Sequence, residues 1–224
     1  VKQGLNVVHY SLELSESYVG KRYDCILSGI SLDKIDNYQS KVEDVLKKIT
    51  GNLTIKWYPT KSISLIGIRS HISKLQALNL KPDLIIIDYA DLLKFGNSTQ
   101  AKHEALESLY EELRGLAGEL QIPLYTASQA NRESTTSDVI EADKMAGAYA
   151  KIFPADFVIS ISRKPQDKIS NTARVHVIKN RFGIDGITFP VYMDTSRGII
   201  NIHDEDSGSG RELTKTMQTD SEYE

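Results

Sequence analysis

Cysteine is almost absent. Cys25 is the only one in 224 residues, so an internal disulfide and a cysteine-based zinc cluster are both excluded for this chain. Its five histidines show no paired ligand spacing, which argues against a histidine metal site. Long apolar runs are missing as well. The longest, Leu84 to Ile87, falls far short of the roughly 20 residues a membrane helix needs, and the N-terminus shows no charged-then-apolar leader. A soluble, cytoplasmic protein without membrane contact is therefore expected. No repeat of solenoid length is found.

What remains is ordinary for a globular chain: 40% hydrophobic and 25% charged residues, enough to bury one large α/β core but not two. The net charge of −3 is unevenly spread, because the segment from His203 onward holds seven acidic and two basic residues. The body is thus mildly basic and the tail acidic. Such a balance suits a protein that meets phosphate backbones in one place, although a solvated surface has the same look.

Leu5 to Tyr10 reads as a buried strand. Ser15 followed by Tyr18, Val19, Tyr23, Ile26 and Leu27 reads as a capped helix. Val42 through Ile49, ending at Gly51, gives a second helix; Leu53 to Tyr58 gives a strand, and Ser64 caps a third helix over Ile68, Ile72, Leu75 and Leu78. Asp83 to Asp88 is nearly all apolar and predicts a strand covered on both faces, central in a parallel sheet. Leu106, Leu109, Leu113, Leu116 and Leu120 mark a long helix, and Pro123 to Ala127 the next strand. Asn131 to Glu141, polar and without an apolar period, reads as a loop. Four later strands are expected at Phe157–Ser162, 173–179, 186–193 and Ile199–Ile202. Strands alternating with helices predict a mainly parallel α/β sheet with an antiparallel C-terminal end, and the tail of residues 203–224 is expected to be disordered.

Candidate chemistry collects where strands end, the edge at which parallel α/β sheets bind ligands. Glu13, in Ser11-Leu12-Glu13-Leu14, stands where it can polarise a water, or merely favour a helix start by its charge. Asp88 ends the most apolar strand and can hold Mg²⁺, which prefers oxygen ligands. Gln129 follows Thr126-Ala127-Ser128; an amide there can touch a γ-phosphate and its attacking water, or simply close a turn. Lys179 and Arg181 flank Asn180 and, two residues apart, share a strand face, suited to phosphate oxygens or to protecting a sheet edge.

Taken in order, these segments resemble the motor domain of DnaB-type replicative helicases, particularly those of bacteriophages. The likeness rests on Ser11 to Leu14, the Walker B-like Ile85 to Tyr89, Ser128-Gln129 with Asn131-Arg132, Ala155-Asp156 and Lys179-Asn180-Arg181, and it spans residues 5 to 202. It implies a RecA-like fold, a homo-hexameric ring around single-stranded DNA, ATP and Mg²⁺, and a bacterial or phage-infected host cytoplasm. By position, Glu13 would activate water, Asp88 would hold magnesium, Gln129 would sense the γ-phosphate, and Lys179 and Arg181 would reach the neighbour's nucleotide, with Arg181 as the finger. The DNA loops would be about 94–103 and 131–148, with Lys94, Lys102, Arg132 and Lys144 as phosphate contacts. A primase or helicase loader is the further partner implied.

Two departures matter. No Gly-x-x-x-x-Gly-Lys-Ser/Thr segment stands in the sequence, so the chain is expected to begin inside the domain, N-terminally truncated, and to bind ATP poorly alone. Asp91 stands where many relatives carry Gln, and its role is open. Residues 1–202 are thus expected to form a partial RecA-like ATPase domain. The same core serves RecA/RadA-type recombinases and clock-type ATPases; the Ser-Leu-Glu element and the Lys-x-Arg pair favour the helicase. A short module that binds DNA or a helicase ring without hydrolysis is the third alternative.

Overall fold

A computed structural model of the chain describes residues 1–96, 102–129, 139–142 and 148–221. They form two compact units, Val1–Ser128 and Gln129–Glu224.

The first unit is built on four parallel strands, β1 (Val7–Ser11), β2 (Leu53–Trp57), β3 (Leu84–Asp88) and β4 (Leu124–Thr126), in the order β2-β1-β3-β4. β1, buried along its whole length, and the apolar β3 take the interior positions, where both faces are covered. The strands alternate with α1 (Glu16–Ser28), α2 (Gln39–Leu46), α3 (Leu65–Ala77) and α4 (Lys102–Leu120). Side chains alternate across a strand, so Tyr10 and its register partner Ile87 share one face. Both are fully buried, as are Ile68 of α3 and Leu116 of α4, and the Tyr10 hydroxyl meets His71 of α3 at 2.9 Å. On the other face His9 Nδ1 meets the Tyr23 hydroxyl of α1 at 2.9 Å.

Local chemistry sets the helix ends. Ser15 accepts from the Tyr18 amide and starts α1, and Gly29, in the left-handed region at φ 71°, closes it, a conformation that costs glycine little. Ser64 occupies the cap of α3 but contributes only its carbonyl, which accepts from the Ile68 amide. α2 stops at Leu46, three residues before the expected Ile49, because the chain tightens into turns in which the Lys48 and Ile49 amides reach Val45 and Leu46.

The second unit is an antiparallel sheet, β5 (Phe157–Ser162), β6 (Thr172–Asn180), β7 (Thr188–Asp194) and β8 (Ile199–Ile202), in sequence order. Ala173, Val175 and Val191 form its core. Two short helices, α5 (Ala148–Ile152) and α6 (Pro165–Ser170), flank β5 in sequence. The tail departs from expectation. Residues Gly208–Ser221 form a helix, α7, that packs against β7 and α6. Ser207 accepts from the Gly210 amide at its start, and Met217, four residues after Leu213, is buried. That single pair at helical spacing was the apolar signal, and the surrounding charge obscured it. The expected loop at 131–141 lies mostly outside the described residues. Among the described residues no helix is long and apolar enough to cross a membrane.

Candidate active site

The register of the parallel strands levels their carboxyl ends: Ser11 pairs with Trp57 on one side and Asp88 on the other, and Thr126 stands one step back, opposite Ile87. The chain leaves β1 in a tight turn. Ser11 Oγ donates to the Leu14 carbonyl at 2.6 Å and accepts from the Leu14 amide at 3.2 Å. The Leu12 amide donates to the Asp88 carbonyl at 2.8 Å, and the Thr60 hydroxyl donates to the Leu12 carbonyl at 3.0 Å. Leu12 is thereby buried and Glu13 exposed. The backbone bond between Leu12 and Asp88 makes the two carboxylate-bearing strand exits immediate neighbours.

Asp88 is half-buried, and the peptide that follows it, Asp88–Tyr89, is cis. Burial raises the pKa of Tyr89, and the charges of Glu13, Asp91 and Asp88 push it the same way, so the three carboxylates act on one small region. Burial likewise raises the Tyr23 hydroxyl, with Asp88 adding to it. Burial lowers the His9 imidazole, against the pull of Asp88. Thr126 locks the exit of β3 from the next strand: its hydroxyl donates to the Ile87 carbonyl and accepts from the Ala90 amide, each at 2.9 Å. Thr126→Val keeps the shape but leaves both groups unpaired beside the fully buried Ala90. A loss of about 1–3 kcal/mol is expected, read as a lower denaturation midpoint at unchanged slope.

Lys61 is a residue that sequence reasoning missed. Its ammonium donates to the carbonyls of Asp91 and Leu93 at 2.7 and 2.8 Å and lies 3.9 Å from the centre of the Phe95 ring. It clasps the segment leaving β3. A lone lysine in a polar turn carries no sequence signal of such a clasp, since its partners are backbone carbonyls.

In the second unit Gln129 is the first residue and is exposed. Lys179 and Arg181 lie close together at the end of β6, each engaged within the unit. The Lys179 ammonium donates to the carbonyls of Ile152 and Phe153 at 2.9 and 2.8 Å. The Arg181 guanidinium pairs with Asp156 at 3.0 Å, and its amide donates to the Asp156 carbonyl at 2.9 Å. Asn180 shapes the hairpin turn by accepting from the Phe182 amide and donating to the Ile184 carbonyl. Lys94 is exposed beyond β3. Lys102 is described only as the first backbone position of α4, and Arg132 and Lys144 lie outside the described residues.

The chain resembles solved proteins as a fold before it does so as a sequence. A solved ATPase domain superposes with a TM-score of 0.77 at 19% identity, covering 90% of this chain and 76% of that one. A DnaB-like replicative helicase, solved in a study of its interactions with primase, superposes with a TM-score of 0.75 at 19% identity over 88% of this chain and 50% of that one. A parallel sheet with carboxylates at its central strand ends, followed by antiparallel strands, places the molecule in the RecA-like α/β class. Within that class the family is defined by sequence. The model described as "DnaB-like helicase C terminal domain" matches residues 1–195, and the chain belongs to that family. A DnaB-like replicative helicase of Enterobacteria phage T4 is 29% identical over 192 residues, which is 80% of this chain. The chain spans 40% of the length of that relative.

Proposed function

We propose that this chain is the motor part of a homo-hexameric, ATP-dependent replicative DNA helicase, coupling hydrolysis to movement along single-stranded DNA. The observation that carries this reading is the register pair Ser11↔Asp88, which makes the strand exit that bears Glu13 the neighbour of the one that bears Asp88, at the edge where parallel α/β sheets commonly bind ligands.

Among the described residues no group of three His, Cys, Asp or Glu could cage a metal ion. Magnesium bound with nucleotide takes one or two carboxylates and fills its shell with phosphate oxygens and water. Asp88 would be the protein ligand. The ion, when bound, neutralises charge on the phosphates. Glu13, exposed on its braced turn, would accept the proton of the attacking water. Gln129 would donate to the γ-phosphate and orient that water. Arg181, released from Asp156, would present its guanidinium to the nucleotide of the adjoining subunit, and Lys179, two residues before it on β6, would support it. Lys94, Lys102, Arg132 and Lys144 would meet DNA phosphates, setting affinity without reading sequence.

The phosphate-cradling Walker A pattern is not in the 224 residues, so this chain alone is expected to bind ATP weakly and to turn over little. The primase studied with the solved relative, or a helicase loader, is the further partner this reading supports, in the cytoplasm of a bacterium or a phage-infected host. The test compares ATP hydrolysis with and without single-stranded DNA for this chain and for a form extended to carry a Walker A loop. DNA-stimulated turnover in the extended form alone supports the reading. An extended form that binds DNA yet hydrolyses nothing overturns the motor in favour of a binding module.

A further inference from the structure

Asp91 stands three residues past Asp88, and the structure gives it a partner from α4. The Tyr110 hydroxyl, from the middle of α4, donates to the Asp91 carboxylate at 2.8 Å. The Ser128 side chain also hydrogen-bonds the same hydroxyl. Tyr110 is 8% exposed, so its hydroxyl is a fixed, desolvated junction rather than a surface contact. It ties together three elements: the segment leaving β3, helix α4, and the chain leaving β4, where Gln129 comes next. The Asp91 side is itself braced, because Lys61 holds the carbonyls of Asp91 and Leu93 and the Ala90 amide is held by Thr126. Only the Ser128 side continues into a residue proposed to touch nucleotide.

We propose that Tyr110 is a positioning residue which, through its bridge between Asp91 and Ser128, fixes the chain leaving β4 at Ser128 relative to the Asp88 end of β3. This inference rests on the helicase reading above. Its consequence is that the hydroxyl sets how strongly the protein distinguishes a nucleotide that has a γ-phosphate from one that lacks it. The two strand exits can respond to the γ-phosphate together only while they are joined.

The test uses the helicase in a form that carries the Walker A loop and measures its affinity for fluorescent single-stranded DNA with a non-hydrolysable ATP analogue and with ADP. Wild type is expected to show a ratio of affinities in the range of about 5- to 150-fold typical of coupled sites. Tyr110→Phe, which keeps the ring, is expected to bring that ratio close to one while the affinity with ADP changes less than about twofold. Asp91→Asn, whose amide oxygen still accepts the hydroxyl, is expected to keep the ratio, and Asp91→Leu to lose it. A Tyr110→Phe protein that melts lower but keeps the wild-type ratio overturns the positioning role and leaves the helicase reading intact. A wild type that shows no difference between the two nucleotides overturns the helicase reading, and this inference with it.

Discussion

Glu13→Gln, in a form that carries the Walker A loop, is expected to lower DNA-stimulated ATP hydrolysis by roughly 10²- to 10⁴-fold, the range for loss of a positioned general base. Nucleotide and DNA affinity should barely move. The turn that presents Glu13 is held by the Ser11 hydroxyl, the Leu12 amide and the Thr60 hydroxyl, and none of these bonds uses the Glu13 carboxylate. Glutamine keeps the size and the polarity and removes only the capacity to take a proton. Single-turnover hydrolysis, followed beside equilibrium nucleotide binding, separates the two effects. Equal losses of binding and turnover would make Glu13 a structural residue of the strand exit, and the water-activating role would have to be given up.

Arg181→Ala carries the larger expected loss, about 10³- to 10⁵-fold in turnover, as for a guanidinium that stabilises phosphoryl transfer. Its ion pair with Asp156 is half exposed, and pairs of that kind contribute about 0–1 kcal/mol, so the fold should survive. The distinctive outcome lies in mixing. A site served by the neighbour's arginine can be rebuilt from two inactive proteins, because a subunit with Arg181→Ala still offers Glu13 and a subunit with Glu13→Gln still offers Arg181. In randomly mixed rings of equal amounts, about one site in four regains both groups. Recovery of hydrolysis on mixing is the expected result. Rings that stay inactive at every ratio would overturn a role for Arg181 in the neighbour's site.

Much of this architecture was legible in the sequence because burial writes a strong local pattern. The unbroken Leu84 to Ile87 run marks an interior parallel strand, since a strand covered on both faces has no reason to alternate. Ser15 marks the start of α1 because an orphan amide favours particular residue types at a cap. Strand ends could also be read, and with them Glu13 and Asp88 as candidates. The helix in the tail leaves little trace in the sequence for the opposite reason. In α7 only Leu213 and Met217 supply an apolar face, too little to stand out from the acidic composition, and the helix depends on packing against β7 and α6.

The sequence by itself determined the family, the alternation of strands and helices, and the residue types available for chemistry, since each depends on neighbours within a few positions or on ordered motifs. Tertiary structure decided what those residues touch. The pairing of Ser11 with Asp88 joins positions 77 apart and follows from the register that aligns two apolar strands. Lys61 meets Asp91 and Leu93 because two loops converge at one end of the sheet. Tyr110, which follows Leu109 in α4, finds Asp91 only because α4 packs on the sheet at that level. Contacts of this kind are made by backbone carbonyls and by side chains far apart along the chain. They leave no spacing to read, and only the packed fold specifies them.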